Sequence, residues 1–358
     1  MKFVHIADMH FDIPFASLES RIGLGDKRRL QQRKVFKKMI EYIKENKIPY
    51  LFIAGDLYEH EYIRNSTIEY INQLFEEIPN TQIYITPGNH DPFLNNSYYS
   101  KFSWAHNVHI FNDKIEKIEQ PDCNIYGLGF KDFYMMQNQL ESFQLENKEK
   151  INIFITHASL DSSTMEERQY NPIGKGFLKS LGFDYVALGH IHKNSYQDEA
   201  DQRIVYPGSM ISLGFDELGS HGMIVGELEK KELKLTFIPL DKQEFVTKKF
   251  DITTISSQEE LIEKLNELDL EKDKFYEIVL VGVHQFELNK MKILKLIEKE
   301  EILKLKDETT LGYDLEKLKE ENTLKGIFVR QLLEEKTKEN YSEETIKKAM
   351  EIGLEILE

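Results

Sequence analysis

The sequence predicts an α/β protein with a large sheet domain over residues 1–240, a smaller α+β unit over 241–306 and a helical segment over 307–358. Three observations carry that expectation. Short apolar runs alternate with segments of helical period through the first part of the chain. Five of those runs are followed at once by polar residues able to bind a metal or move a proton. The composition then shifts near Leu240, beyond which charge rises and the metal-competent clusters stop.

The first strand is expected over residues 2–7 and delivers Asp8-Met9-His10 at its carboxyl end, where the loops of α/β sheets do chemistry. A helix over 27–46 buries Phe36, Met39, Ile40 and Ile43. It also carries Lys27-Arg28-Arg29, Arg33-Lys34 and Lys37-Lys38, which read as a solvated face before a phosphate-binding patch. Residues 50–54 form the second strand, ending at Gly55-Asp56. Ser66 is placed to cap a helix whose Ile68, Ile71, Leu74 and Phe75 recur at helical spacing. A third strand over 82–85 runs into Thr86-Pro87-Gly88-Asn89-His90-Asp91. There Pro87 and Gly88 turn the chain, and a carbonyl, an imidazole and a carboxylate follow in succession.

Strands over 151–155 and 185–188 end at Thr156-His157 and at Gly189-His190-Ile191-His192. A polar loop over 161–170 and a short helix near 177–181 separate them. Strands over 203–206, 222–228 and 233–239 follow as a meander. Alternation followed by a meander predicts two packed sheets with helices outside. In the smaller unit, 245–250 and 275–283 read as strands. Ser257 with Glu260 opens a helix through Glu267 in capping-box fashion, and another helix lies near 288–299. From about Asp307 the chain is expected to be helical. Leu324, Ile327, Phe328, Gln331 and Leu332 make one apolar stripe, and Ile346, Met350, Gly353, Leu354 and Leu357 another. Such faces either pack on the preceding unit or dock a partner.

Composition bounds the class. With 41% hydrophobic and 30% charged residues the chain can build a globular core, and no apolar run approaches the roughly 18 residues needed to span a bilayer. No membrane association is therefore expected, and the opening residues read as a strand, not as a secretory leader. Cys123 is the lone cysteine, which excludes an internal disulfide and fits a reducing compartment, so a cytoplasmic location is expected. The net charge of −16, with acid in excess on both sides of Leu240, argues against nucleic-acid binding by this chain unaided.

A parallel sheet would bring Asp8, His10, Asp56, Asn89, His90, His157, His190 and His192 to one edge. Seven of them as ligands around one shared carboxylate would serve two divalent ions. The mixed nitrogen and oxygen set suits Mn²⁺, Fe²⁺ or Zn²⁺ better than Mg²⁺ or Ca²⁺. Two ions roughly 3.5–4 Å apart can clamp the attacking and leaving oxygens of a displacement at phosphorus. The leaving oxygen also needs a proton donor.

Asp8-x-His10, Gly55-Asp56, Gly88-Asn89-His90-Asp91, His157 and Gly189-His190-x-His192 resemble the five ordered motifs of the calcineurin-like metallophosphoesterases, over residues 1–240. The resemblance implies a four-layer α/β/β/α sandwich. It implies that Asp8, His10, Asp56 and His192 hold one ion, and that Asp56, Asn89, His157 and His190 hold the other, with Asp56 bridging. His90 would be the proton donor, steadied by Asp91. Tyr206-Pro207-Gly208-Ser209, the run from Ser212 to Glu217, and His221-Gly222 are similar to the DNA-repair exonuclease branch, which includes SbcD nuclease subunits and YhaO-type exonucleases.

That branch implies a Mn²⁺-dependent nuclease acting on DNA, an α+β capping domain over 241–306, and a Rad50-like ATPase partner of SbcC or YhaN type docked by the tail. A homodimer that juxtaposes two basic helices is another way to supply missing positive charge. One departure is noted: some nuclease subunits place a histidine three residues after the second-motif Asp, where Glu59 stands here, followed by His60. Two other classes compete with the nuclease. A phosphoesterase acting on a nucleotide or phosphoprotein is favoured by the acidic balance. A DNA-end-binding scaffold is disfavoured by the complete ligand set. His5 is read as a core histidine, His106 and His109 as loop residues, and His221 as fixing a turn. Tyr98, Tyr99, Phe102 and Trp104 are read as packing residues before base-stacking ones.

Overall fold

The structure, a computed structural model, describes all residues except 16–17, 19–22, 137–138, 162–168, 197–201, 231, 313–314, 338–341 and 358. Most of the polar loop expected at 161–170 lies outside the described residues. The chain forms two compact units, Met1–Val246 with Glu271–Phe275, and Thr247–Leu270 with Tyr276–Glu358.

The first unit begins with β1 (Lys2–Ile6), α1 (Leu24–Asn46), β2 (Tyr50–Ala54), α2 (Asn65–Glu76), β3 (Gln82–Thr86), α3 (Tyr98–Lys101) and β4 (Val108–Ile110). It continues with β5 (Glu116–Glu119), β6 (Cys123–Leu128), β7 (Ile151–His157), α4 (Lys175–Leu181) and β8 (Tyr185–Gly189). β9 (Ile204–Val205), β10 (Gly222–Leu228) and β11 (Leu233–Pro239) complete it. One sheet has the order β11-β10-β1-β2-β3-β4 and the other β5-β6-β7-β8-β9. Strands β1 to β4 are mutually parallel, as are β6 to β9, so their carboxyl ends share an edge in each sheet.

The two sheets face each other across one core. Phe3, Phe52 and Tyr84 from the first meet Ile125, Ile153 and Tyr185 from the second, and the Phe3 ring lies 4.6 Å from Tyr185. Strand alternation sends Val4, Ile6, Leu51, Ile53, Ile83 and Ile85 to the outer face, where they are equally buried. The β1-α1-β2 and β2-α2-β3 crossovers return their helices to that face. On the far side of the second sheet, Tyr126, Leu128, Phe154 and Val186 cluster with Leu178 of α4. The mixed α/β fold expected from the sequence is present, with its sheets packed between helices.

Three local expectations are corrected. Strands β4, β5 and β6 were not anticipated; β6 is buried throughout, with polar Asn124 donating to Asn152 Oδ1 at 3.0 Å. The α2 cap is Arg64, and Ser66 lies inside the helix. The carboxylate of Asp12, distant in sequence, accepts from Arg64 N at 3.0 Å and Thr67 Oγ1 at 2.7 Å and so anchors that first turn. Arg28, grouped with the solvated basic face, is only 1% exposed. Its guanidinium forks onto the Asp241 carboxylate and donates to Ser212 O at 2.7 Å.

The second unit contains β12 (Glu244–Asp251, whose first residues belong to the first unit), α5 (Gln258–Asn266), β13 (Lys274–His284, whose first residues also do), α6 (Lys290–Leu296) and β14 (Ile302–Leu311). The helices α7 (Leu315–Glu320), α8 (Leu324–Thr337) and α9 (Glu343–Ile356) end it. Its sheet runs β12-β13-β14. Ser257 caps α5 through Glu260 N at 3.1 Å, while the Glu260 carboxylate turns to Ser256 instead of closing the box. The helical character expected from Asp307 begins later, because residues 302–311 pair in parallel with β13. In the tail, Val329, Met350 and Leu354 make a small core with Phe328 and Leu332. Leu324 and Ile327, on the apolar stripe read from the sequence, are 73% and 45% exposed, while α8 turns Val329 inward. Among the described residues no helix is long and apolar enough to cross a membrane.

Candidate metal centre

The carboxyl ends of β1, β2, β3, β7 and β8 bring the motif residues together. Asp8, His10, Asp56 and His190 all sit at positive φ, 51°, 48°, 52° and 105°. Such a conformation costs a non-glycine residue about 1–3 kcal/mol and persists only when the surroundings enforce it. Here Asp8 N donates to Gly55 O at 3.1 Å and His10 N to Asp56 O at 2.9 Å. From α1, Gln32 Nε2 donates to Met9 O at 2.8 Å and His10 O at 3.0 Å. Two motif glycines are required by close approach. A Cβ at Gly88 would lie 2.2 Å from Asp56 Oδ1, and one at Gly55, itself at φ 89°, would lie 2.3 Å from His157 Nδ1.

Three overlapping groups of donor atoms converge within 4.8 Å: Asp8 with His10 and His192; His10 with Asp56 and His90; Asp8 with Asp56 and His157. Asn89 Oδ1 lies 3.0 Å from His157 Nε2, which in turn lies 3.3 Å from Asp56 Oδ2. His190 joins through its backbone N, which donates to Asp8 Oδ1 at 3.0 Å, and its ring packs 5.2 Å from His157 and 4.9 Å from Tyr170. All eight clustered residues expected from the sequence are thus brought to one place.

The imidazoles are oriented from behind. His10 Nδ1 faces Glu59 Oε1 at 2.7 Å, His192 Nδ1 faces Glu217 Oε1 at 2.5 Å, and His157 Nδ1 faces Ala54 O at 2.9 Å. Each of those partners accepts, so each Nδ1 carries a proton and each ring turns its Nε2 inward. Burial would lower His157 and His192, but the charge of Asp56 beside the first and the bond to Glu217 behind the second raise both to about 9. His10 Nε2 and His192 Nε2 are 3.1 Å apart. Two imidazole nitrogens at that spacing, beside buried carboxylates, suit ligands of one cation. Asp8 and Asp56 are buried, and their ion pairs among the described residues are with histidines alone. The donor set therefore fits divalent cations.

Asp91 is in a different place from that expected. It accepts from Gly88 N at 2.6 Å, Asp56 N at 3.1 Å, Leu57 N at 2.7 Å and Tyr99 Oη at 2.6 Å. Its side chain is turned inward to tie the Gly88 turn to the Asp56 loop, so it does not hydrogen-bond the His90 ring. That part falls to Glu59, whose second oxygen faces His90 Nδ1 at 2.9 Å. Burial alone would raise the Glu59 carboxyl, but its bonds to His10 and His90 hold it down to about 2. Burial would likewise lower His90, and the bond to Glu59 with the charges of Asp56, Glu59 and Asp91 raises it to about 9. His190 is lowered to about 3 by burial and by the neighbouring His157. The His90 side chain is 45% exposed and stands at the rim.

Residues 1–194 match the family described as Calcineurin-like phosphoesterase. The chain belongs to that family. Members use a dimetal centre, so the cluster is the family's candidate metal site. The chain is 24% identical over 247 residues to the uncharacterized metallophosphoesterase YhaO of Bacillus subtilis (strain 168), covering 66% of this chain but 60% of that relative's length. It is 26% identical over 273 residues to the SbcD chain of the SbcCD nuclease of Staphylococcus saprophyticus, covering 67% of this chain and 69% of the relative. A crystal structure of a dimetal phosphatase from Danio rerio aligns at TM-score 0.40 and 10% identity, over 66% of this chain and 99% of that one, too loosely to be weighed further.

Within this phosphoesterase site, sequence reading passed over two carboxylates. Glu59 follows Asp56 by one turn of loop and was noted only as a departure. Glu217 stands far from any metal motif, and also accepts from Ser209 Oγ at 2.7 Å. No local spacing marks it. His109, read as a loop residue, lies in β4 instead. His5 is as read, buried between Tyr185 Oη at 2.9 Å and Leu188 O at 3.2 Å. His221 bonds Ser209 and Glu217 O at 3.0 Å and holds the loop that carries Glu217. The His60 ring packs 6.0 Å from Phe133 instead of joining the cluster. Trp104 donates to Tyr98 O at 3.1 Å and packs on Phe75, so this aromatic group is built into the fold.

Proposed function

We propose that this phosphoesterase is a DNA nuclease that hydrolyses phosphodiester bonds with two divalent ions, Mn²⁺ foremost, as the catalytic partner of a Rad50-like ATPase. The observation that carries metal-dependent phosphoester hydrolysis is the set of imidazole Nε2 atoms turned onto two buried carboxylates, with a further histidine exposed at the rim. Asp8, His10, Asp56 and His192 would hold one ion, and Asp56, Asn89, His157 and His190 the other. When bound, the ions would supply charge neutralisation at the phosphate and a water activated near neutral pH.

The chain's own residues do the rest. Glu59 and Glu217 aim the ligand imidazoles. Asp91 holds the Gly88 turn against Asp56, and with it Asn89. His90, oriented by Glu59 and open to solvent, gives a proton to the leaving oxygen. DNA as the substrate is supported by the similarity to the SbcD chain of the SbcCD nuclease and by the 206–222 signature. The net charge of −16 favours the competing reading, a phosphoesterase for a nucleotide or phosphoprotein.

Hydrolysis of single- and double-stranded DNA with Mn²⁺, run beside a chromogenic phosphodiester and monoester, separates the two. Turnover of esters without any cleavage of DNA, alone or with the ATPase, would overturn the nuclease reading.

A further inference from the structure

Beside the metal cluster the first unit carries a second cavity, of ≈ 430 Å³, in a size range that suits a small ligand. Lys175 and Lys179 of α4 line it, with Lys193 and Arg203, and its apolar wall includes Leu160 and Ile191. Among the described residues no Asp or Glu lines it. Lys175, Lys179 and Lys193 have no ion pair among the described residues, although Asp161 lies close by and accepts from Lys175 N at 2.8 Å. Three lysines around a concavity, with no ion pair among the described residues, are unexpected in a chain of net charge −16. They hold an anion better than they serve solubility.

The position is as informative as the charge. Ile191 lies between His190 and His192, and Lys193 follows directly, so the cavity wall and the metal loop are one backbone segment, with successive Cα atoms about 3.8 Å apart. An anion here would lie next to the loop that carries His190 and His192.

We propose that this cavity binds one nucleotide of a single DNA strand adjacent to the scissile bond, its phosphate held by Lys175, Lys179 and Lys193 and its sugar and base against Ile191 and Leu160. The inference rests on the nuclease reading and specifies which strand the site takes. A cavity of this size admits a lone nucleotide and not a paired one, so a duplex must fray to enter.

The test uses full-length protein and 5′-fluorescein-labelled octathymidylate. Binding is followed by anisotropy in EDTA over a potassium chloride series, so no metal or turnover is needed. Lys175→Ala/Lys179→Ala should weaken binding about tenfold and reduce the slope of log K against log salt by about 1.4, the value for two contacts to a single strand. Both lysines are exposed, so the fold should not suffer. The control Lys34→Ala/Lys38→Ala removes the same charge from α1, on the other helical layer, and should move the affinity less than twofold. Equal losses in both pairs, or native binding by the α4 pair, would overturn the inference alone. A wild-type chain that hydrolyses a chromogenic diester yet neither binds nor cleaves the oligonucleotide would overturn both it and the nuclease reading.

Discussion

Replacing Glu59 by Gln tests how the site is oriented. One carboxylate faces two rings, His10 Nδ1 at 2.7 Å and His90 Nδ1 at 2.9 Å. Both bonds are charge-assisted, a class worth about 1.5–3 kcal/mol each. Glutamine has one acceptor oxygen, so its NH₂ must oppose one of the two Nδ1–H groups. Whichever ring loses its acceptor is free to rotate or to change tautomer. If that ring is His10, a proposed ligand nitrogen is misdirected; if it is His90, the proposed proton donor is. Losing one such bond corresponds to about 10–100-fold in turnover or metal affinity, the range seen for partners behind metal-binding histidines. The assay is kcat on a chromogenic phosphodiester at saturating Mn²⁺, with metal affinity from calorimetry and folding from thermal denaturation. A folded Glu59→Gln protein with native metal affinity and native kcat would show that the rings are held by something other than Glu59.

Asp91→Asn should act on stability first, since each buried donor left without its acceptor costs about 1–3 kcal/mol; a native melting temperature would contradict the inward role of Asp91. His90→Ala should retain both metals and lose about 10²–10⁴ in kcat, as removal of a general acid does. Metal stoichiometry falling together with rate would instead make His90 a ligand. Hydrolysis should be strongest with Mn²⁺ and weak with Mg²⁺, because histidine nitrogens disfavour the harder ion; equal rates in a titration of each would exclude the assignment. Finally, Leu324→Asp with Ile327→Asp, at positions 73% and 45% exposed, should abolish co-purification of a co-expressed Rad50-like ATPase while diester hydrolysis persists. Undiminished recovery of the ATPase would remove α8 from docking.

What the sequence by itself determined was the frame of the site. Asp8, Asp56, Asn89, His157 and His190 each follow a buried run within a few residues, and a parallel sheet necessarily gathers strand ends. Distance along the chain there is short enough for spacing to imply placement. The tertiary structure alone decided which group stands behind which ring. His192 takes its acceptor from Glu217, 25 residues on, and Arg28 finds Asp241 across 213 residues. Asp91 is adjacent to His90 in sequence, yet the Gly88 turn points its carboxylate at the backbone N–H groups of Gly88, Asp56 and Leu57. Glu59, one loop away, is left to orient the histidine. The same logic explains the tail. Helical period marks one stripe on α8, through Leu324 and Ile327, but which side is buried depends on where Met350 and Leu354 of α9 arrive, and they meet Val329. Local periodicity is a property of the chain, whereas the choice among equivalent acceptors and faces is made by packing.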